Sequence, residues 1–383
     1  MKQITLFTAA LLTFAGMQAQ NSIDQVLRNI EANNKELQAN ARLISSQKLE
    51  AKTDNNLADP TLSYAHLWGS KDKSETIGEL VVSQSFDFPS LYASRAKLNR
   101  LKTNSFDGQA SVFRQSILLQ AKEVCLDIIM LRQQQQILQE RLRNAEELAA
   151  MYKKRLQTGD ANVIETNKIN LELLNVKTEA SLNETALRNK LQELNTLNGN
   201  IPVVFEENSY PSVIFPSDYQ MLKTEVLAAD PTLQALASES AAARQQIGVN
   251  KQGWLPKLEL GYRRNTESGT PFNGLVVGFS FPIFENKSKV KIAKAQSMNT
   301  DFLKESAILQ AESQTLRSSM DEYEKTFQAQ QDLDMLKQAL TGGQISMIEY
   351  FVEVSVVYQS KQNYLQLENQ YQKAMAKIYK NQL

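Results

Sequence analysis

Two hydrophobic periods alternate along the chain. Ile117, Ala121, Val124, Ile128, Leu131, Gln135, Leu138, Leu142, Ala145, Ala149, Tyr152 and Leu156 follow one another in steps of four and three. That is a heptad seam with one polar lapse, and it predicts a long helix. A second, less pure seam follows Gly159: Ile169, Leu173, Val176, Ala180, Asn183, Leu187, Lys190, Leu194 and Leu197. Glu, Gln, Lys and Asn fill the flanks, as on a solvated helix face. Proline is absent between 90 and 201 and again after 282, and each stretch holds one interior glycine break, at Gly159 and at Gly342-Gly343. Both stretches therefore read as helical hairpins that turn at a glycine. The 70 residues from Pro89 to Gly159 make about 105 Å of helix at 1.5 Å per residue, longer than a globular domain is wide.

Four short segments carry period two instead. They are expected as strands over about 60–69, 78–88, 256–264 and 274–284, with polar loops from Gly69 to Thr76 and from Asn265 to Pro271. Leu62, Tyr64, His66 and Trp68 share one face of the first, and Leu80, Val82, Phe86 and Phe88 share one face of the second. Leu258, Leu260 and Tyr262 do so in the third, and Leu275, Val277, Phe279, Phe281 and Ile283 in the fourth. About ten residues with one apolar and one polar face suits a transmembrane β-strand, which needs ~9–11 residues. A pair of soluble hairpins covering a small core is the alternative.

The sequence also repeats. Leu37-Gln38-Ala39 and Pro60 recur as Leu233-Gln234-Ala235 and Pro256 at an offset of 196. Leu80-Val81-Val82 recurs as Leu275-Val276-Val277 at 195, and Gly159 with Val163-Ile164-Glu165 as Gly343 with Met347-Ile348-Glu349 at 184. The expected order in each half is helix, strand, strand, long helix, glycine turn, helix. The first repeat spans 21–200, opening with a helix over roughly 22–56. A connector follows at 201–220, and the second repeat spans 221–383. The lost eleven residues are close to three helical turns, so the second long helix keeps its phase. With all else fixed, they raise the second tip by about 16 Å.

Composition narrows the function. Among 383 residues, 42 basic and 42 acidic side chains cancel, which argues against a nucleic-acid partner. One cysteine and one histidine exclude an internal disulfide, a cysteine zinc site and histidine clusters. Glu146 and Glu147 sit side by side on one exposed helix face and do not converge as an acid–base pair, and no phosphate loop or nucleophile elbow is present. No catalytic residue, metal ligand or cofactor is expected. Cys125, next to Val124 of the seam, is expected to be packed, and His66 is an ordinary strand residue.

Residues 1–20 read as a signal peptide, with Met1-Lys2, an apolar core from Ile4 to Met17, and Ala19 at the cleavage site. No later run reaches the ~20 apolar residues of a membrane helix, so an exported chain of this kind enters a membrane only as β-strands. Four strands cannot close a barrel and lipid tolerates no open edge, so at least two chains must contribute.

These residues resemble the TolC family of outer-membrane efflux ducts over 21–383. The resemblance is most specific at Ala58 to Tyr64, Ser83 to Phe86, Trp254 to Leu258, Gly278 to Phe284, Arg155 to Glu165 and Gly343 to Tyr350. Within the family the chain is most similar to the partners of Czc- and Cus-type heavy-metal pumps. The resemblance implies a mainly α fold with a transmembrane β-barrel portion. Three copies make a homotrimer, with a twelve-stranded barrel in outer-membrane lipid above an α-helical coiled-coil tunnel in the periplasm. It implies a passive duct that docks a periplasmic adaptor and an inner-membrane pump of the RND type and exports heavy-metal cations. A multidrug or type I secretion duct of the same fold, and a periplasmic coiled-coil adaptor or scaffold, are the alternatives.

The family docks its adaptor at the hairpin tips, here Thr158-Gly159-Asp160 and Gly342-Gly343-Gln344. The glycines match the family pattern, and their neighbours do not. Gating by charged rings near the tips would fall to Asp160, Glu165, Glu349 and Glu353, with Lys153, Lys154 and Arg155 as partners.

Overall fold

The computed structural model describes residues 21–69, 76–213, 229–267, 269–281, 302–329 and 333–383. The signal segment 1–20, part of the connector (214–220) and Ile283-Phe284 of the fourth expected strand lie outside the described residues. The elements run α1 (Asn21–Asn33), α2 (Lys35–Thr53), β1 (Thr61–Trp68), β2 (Thr76–Phe86), α3 (Pro89–Thr158), α4 (Val163–Leu197), α5 (Pro231–Gln252), β3 (Lys257–Glu267), β4 (Thr270–Ser280), α6 (Phe302–Ala329), α7 (Leu333–Thr341) and α8 (Met347–Ile378). No described helix is long and apolar enough to cross a membrane.

The chain forms two compact units, one of Ala39–Val112 with Asp230–Thr300, the other of Met1–Gln38, Phe113–Ala229 and Asp301–Leu383. The first holds the sheet. Its strands are antiparallel in the order β1-β2-β3-β4, so the β2–β3 pairing joins the two sequence repeats. Thr61 pairs with Ser83 in β1–β2, Phe86 with Leu258 in β2–β3, and Lys257 with Ser280 in β3–β4. Below the sheet, Leu91 and Leu98 of α3 pack with Ala242 and Val249 of α5. The helices cross closely where a Cβ on Gly108 would lie 2.8 Å from the Ala235 Cα.

All four expected strands form, with shifted ends. The loop expected at Asn265 to Pro271 is mostly strand: β3 continues to Glu267, which pairs with Thr270. Polar residues at alternate positions (Arg263, Asn265, Glu267) extend one face, and Gly269, at φ +87°, makes the tight return. β2 begins at Thr76 and stops at Phe86, because Pro89 already opens α3. β4 ends at Ser280, two residues before Pro282, which has no N–H for a ladder.

The second unit holds both hairpins. α3 and α4 meet at Gly159, and α7 and α8 at Gly342-Gly343. Eight of the twelve positions in the first seam are buried, among them Ile117, Ala121, Val124 and Ile128 in the main core. α4 buries about one residue per heptad: Ile169, Val176, Asn183 and then Leu194 and Leu197. The single N-terminal helix expected over 22–56 is two helices, divided at Asn34. The Asn34 amide donates to the Leu197 carbonyl at 2.8 Å and accepts from the Leu37 N–H at 2.8 Å. A buried asparagine with two backbone partners thus fixes the break, and the turn after α4 passes close to it, with Gly199 against Asn33.

Candidate functional site

The sheet presents two chemically opposite faces. The register places Leu62, Val82, Tyr262 and Leu275 in one row across all four strands, with Leu260 and Val277 in a neighbouring row. This face is mainly apolar; polar residues enter it toward the hairpin turns, where Arg264 and Asn273 share a row with Tyr64 and Leu80. The other face is mixed: Ser63, Ser83, Gly261, Glu79, Arg263 and Glu259 share it with Leu67, Ile77, Val81, Phe272 and Val276, and Arg263 is ion-paired with Glu79 at 2.5 Å. The apolar residues are exposed in the single chain: Leu62, Tyr64, Trp68, Leu260, Leu275, Val277 and Phe279 all lie open. β1 and β4 are the outer strands, each with one edge lacking a strand neighbour among the described residues. His66 lies in this apolar face, 6.2 Å from the Trp68 ring, and no group of three or more His, Cys, Asp or Glu among the described residues could hold a metal. Cys125 is fully buried, and burial pushes its thiol up to about 12.

The two tips repeat one backbone device. At the first, the Asp160 N–H donates to the Arg155 carbonyl at 2.8 Å and the Gly159 N–H to Leu156 at 3.3 Å. At the second, Gln344 donates to Ala339 at 2.8 Å and Gly343 to Leu340 at 3.1 Å. These are Schellman closures, and they need the left-handed backbone of Gly159 (φ +82°) and Gly343 (φ +70°). Three residues past each glycine a capping box restarts the helix. Asn162 accepts from the Glu165 N–H at 2.8 Å and Ser346 from the Glu349 N–H at 3.2 Å. Each glutamate returns the bond, Glu165 accepting from Asn162 N–H at 3.1 Å and Glu349 from Ser346 N–H at 2.7 Å.

Two of the four expected gate charges are therefore engaged in helix caps, and the Ser346 bonds hold the Glu349 carboxyl below the usual range. Asp160 accepts from the Thr158 hydroxyl at 2.6 Å, across its own tip. Glu353 is exposed on α8. Thr158, Gly159, Asp160, Gly342, Gly343 and Gln344 are all exposed. Asn-x-x-Glu and Ser-x-x-Glu at 162–165 and 346–349 were the sequence signal for these caps.

Sequence reasoning missed the ties between the hairpins. Asn144 of α3 donates to the Tyr350 hydroxyl of α8 at 2.7 Å, and Lys337 of α7 pairs with Glu147. Arg141 holds Glu172 and Glu179, each at 2.8 Å, with its guanidinium over the Tyr358 ring. Leu148, Tyr152, Ile169, Leu340, Met347 and Tyr350 form the apolar cluster beneath. Lys337 is the repeat counterpart of Lys153, yet it meets Glu147, six residues further from the tip. The second tip is thus set back by about 9 Å, so the tips sit at two levels and part of the eleven-residue shortening is absorbed.

Against known proteins, no family model matches the chain. The pyoverdine export outer membrane protein OpmQ of Pseudomonas putida is 24% identical over 259 residues, 65% of this chain and 51% of that protein. The chain thus spans about half the length of that relative. Among solved structures, CmeC, an outer membrane channel of Campylobacter jejuni, superposes with a TM-score of 0.75 at 13% identity, over 94% of this chain and 85% of CmeC. The outer membrane protein VceC of Vibrio cholerae gives 0.75 at 14%, over 94% and 97%. CusC, whose structures concern transmembrane channel formation, gives 0.74 at 17%, over 94% and 92%. The fold is that of these outer-membrane channel proteins: a long helical part joined to antiparallel strands.

Proposed function

We propose that the chain is one subunit of an outer-membrane efflux duct. Three copies bring their four-stranded sheets edge to edge into a twelve-stranded barrel, with the hairpins forming a tunnel in the periplasm. The observation that carries this reading is the sheet itself, with an exposed apolar face, a mixed face that holds the Glu79–Arg263 pair, and outer strands β1 and β4 with no strand neighbour among the described residues. Edge pairing between copies satisfies the free backbone groups, turns the apolar face to lipid and the Glu79–Arg263 face to water. The hydrophobic rows and pairing need no chemistry, so the duct is passive and not an enzyme.

The tips at Thr158-Gly159-Asp160 and Gly342-Gly343-Gln344 receive a periplasmic adaptor that connects to an inner-membrane pump, of the RND type on the sequence resemblance. Asp160 and Glu353 are the charges left to face the tunnel end. Heavy-metal cations are the cargo that the tip sequence supports. The OpmQ likeness supports an organic cargo instead, and the fold likeness to CusC and CmeC is equal. Selection in either case belongs to the pump.

Fractionation tests the duct: the protein should sediment with the outer membrane, need detergent for release and run as a trimer. Recovery as a soluble monomer would sink the reading. A deletion strain, grown with zinc, cobalt, nickel, copper, silver and a panel of hydrophobic drugs, then identifies the cargo. Sensitivity confined to metals supports the metal assignment; drug sensitivity with normal metal tolerance removes it and keeps the duct.

A further inference from the structure

Two consecutive arginines of β3 are treated differently by the chain. Arg263 lies on the mixed face, where it is ion-paired with Glu79 and its Nε donates to Asn265 Oδ1 at 3.3 Å. Arg264, one residue on, belongs to the opposite, mainly apolar face. Among the described residues of that face it is the one lysine or arginine, and no aspartate or glutamate shares the face. Arg264 is exposed and has no ion-pair or hydrogen-bond partner among the described residues.

Its neighbour in the row adds donors and no free acceptor. Asn273, paired with Arg264 across β3–β4, accepts from the Tyr262 hydroxyl at 2.6 Å. Its amide oxygen is thus used within the sheet, while its amide nitrogen has no acceptor among the described residues. Cross-strand partners stand about 4.5–5.5 Å apart at Cβ, so a guanidinium and an amide N–H group lie side by side. Their level on the sheet is equally specific. Arg264 lies six residues beyond Leu258 on β3, about 20 Å along the strand and about 16 Å along the normal of a barrel tilted by ~40°. Tyr64 shares its row and Tyr262 lies one row below, and rings of this kind gather at the edge of the hydrocarbon. In the duct reading that edge faces the outside, because the hairpin turns lie at the strand ends away from the helices.

We propose that Arg264, together with the Asn273 amide, binds the phosphate of an anionic lipid in the outer leaflet, one lipid per copy, with its acyl chains along Leu62, Val82, Leu275 and Val277. A guanidinium presents a planar fork of donors that matches phosphate oxygens. An arginine on a lipid-facing strand is costly near the bilayer midplane and close to neutral at the interface. A phosphate at that interface supplies the acceptor that the chain itself gives to Arg263 and not to Arg264. β3 is an inner strand, so the site is complete within one copy and does not depend on the seam between copies. The proposal rests on the duct reading above, which turns this face to lipid, and adds to it a ligand and the residues that hold it.

Native mass spectrometry tests this on the full chain purified in detergent and titrated with phosphatidylglycerol, or with phosphatidylcholine of the same acyl chains. The protein should retain phosphatidylglycerol, up to one per copy, in preference to phosphatidylcholine. Arg264→Gln should weaken that binding by roughly fivefold, the effect of one basic residue at an anionic lipid surface. Asn273→Ala should weaken it by a smaller factor, and Arg264→Lys should keep most of it. Lys257→Gln removes the same charge from the opposite face and should leave it unchanged. Equal retention by the unaltered protein and Arg264→Gln overturns the proposal. An equal loss in Lys257→Gln also overturns it, by making the preference one of net charge. Displacement of the lipid by millimolar inorganic phosphate overturns it too, by giving the site to a free anion. A trimer that binds neither lipid selectively removes the proposal and leaves the duct, whereas a protein soluble without detergent overturns both readings.

Discussion

Gly199 and Gly159 share a backbone conformation and differ in surroundings, which makes them a matched pair. Their φ angles are +69° and +82°. An alanine in this region costs about 1–2 kcal/mol at either site, from contact between its Cβ and the following carbonyl. At Gly159 nothing else lies within 4 Å of the added carbon. At Gly199 the same carbon would lie 2.4 Å from the Asn33 carbonyl oxygen and 3.3 Å from its carbon. Both are backbone atoms at the α1–α2 break, so no side chain can swing aside. Relief requires moving the break, which also stretches the Asn33–Asn198 bond (3.1 Å) and the bond from Asn34 to Leu197. Overpacking of this kind adds about 1–3 kcal/mol. Gly199→Ala should therefore lose about 1–3 kcal/mol more than Gly159→Ala. Far-UV circular dichroism in a urea series on the detergent-purified protein measures both midpoints in parallel. Equal losses at the two glycines would refute the reasoning, because only the backbone term would then matter.

Three further outcomes are expected. Gly261→Val puts a carbon 2.6 Å from the Val82 carbonyl and 2.9 Å from the Ser83 Cβ, so it should split β2 from β3 and strip the protein from the outer-membrane fraction. Burial, with the nearby Glu324 charge adding to it, raises the Glu368 carboxyl to about 7. The folded chain then holds a proton that the unfolded chain releases near 4.5, so stability should fall as pH rises from about 4.5 to 7. Glu368→Gln should flatten that slope and raise the unfolding midpoint at pH 8, and an unchanged pH profile would remove Glu368 from the account. Cys125, buried and poorly ionised, should resist maleimide in the native protein and react only after denaturation.

Local rules on local residues made most of the fold legible. The heptad steps gave α3 and α4, and the glycines gave both tips. Period two gave four strands, and the register places the expected apolar residues that fall within them on one face; Phe88 and Phe281 lie beyond the strand ends. The failures share a cause. Asn34 breaks the first helix because Leu197, far along the chain, offers it a carbonyl, and no local window contains that partner. The same holds for the bond from Asn144 to Tyr350, whose partners lie about two hundred residues apart. Glu165 and Glu349 looked like free charges because charge near a tip is easy to see and a reciprocal cap is not.

The level of the two tips shows how one sequence fact can carry more than its local meaning. The eleven missing residues preserve helical phase, so the second hairpin can pack on the first with its seam in register. They also draw the second tip back, so Leu340 and Met347 fall against Leu148 and Tyr152, while Leu156 and Val163 stand exposed among the described residues. A duplicated fold without the deletion would bring both tips to one level, and the neighbour in a ring would meet two equivalent surfaces. The deletion makes them unequal, and the charge differs as well: 151–168 is net basic, while its counterpart 335–352 balances Lys337 against Glu349. The inequality comes from a length difference that neither strand pattern nor seam would reveal alone.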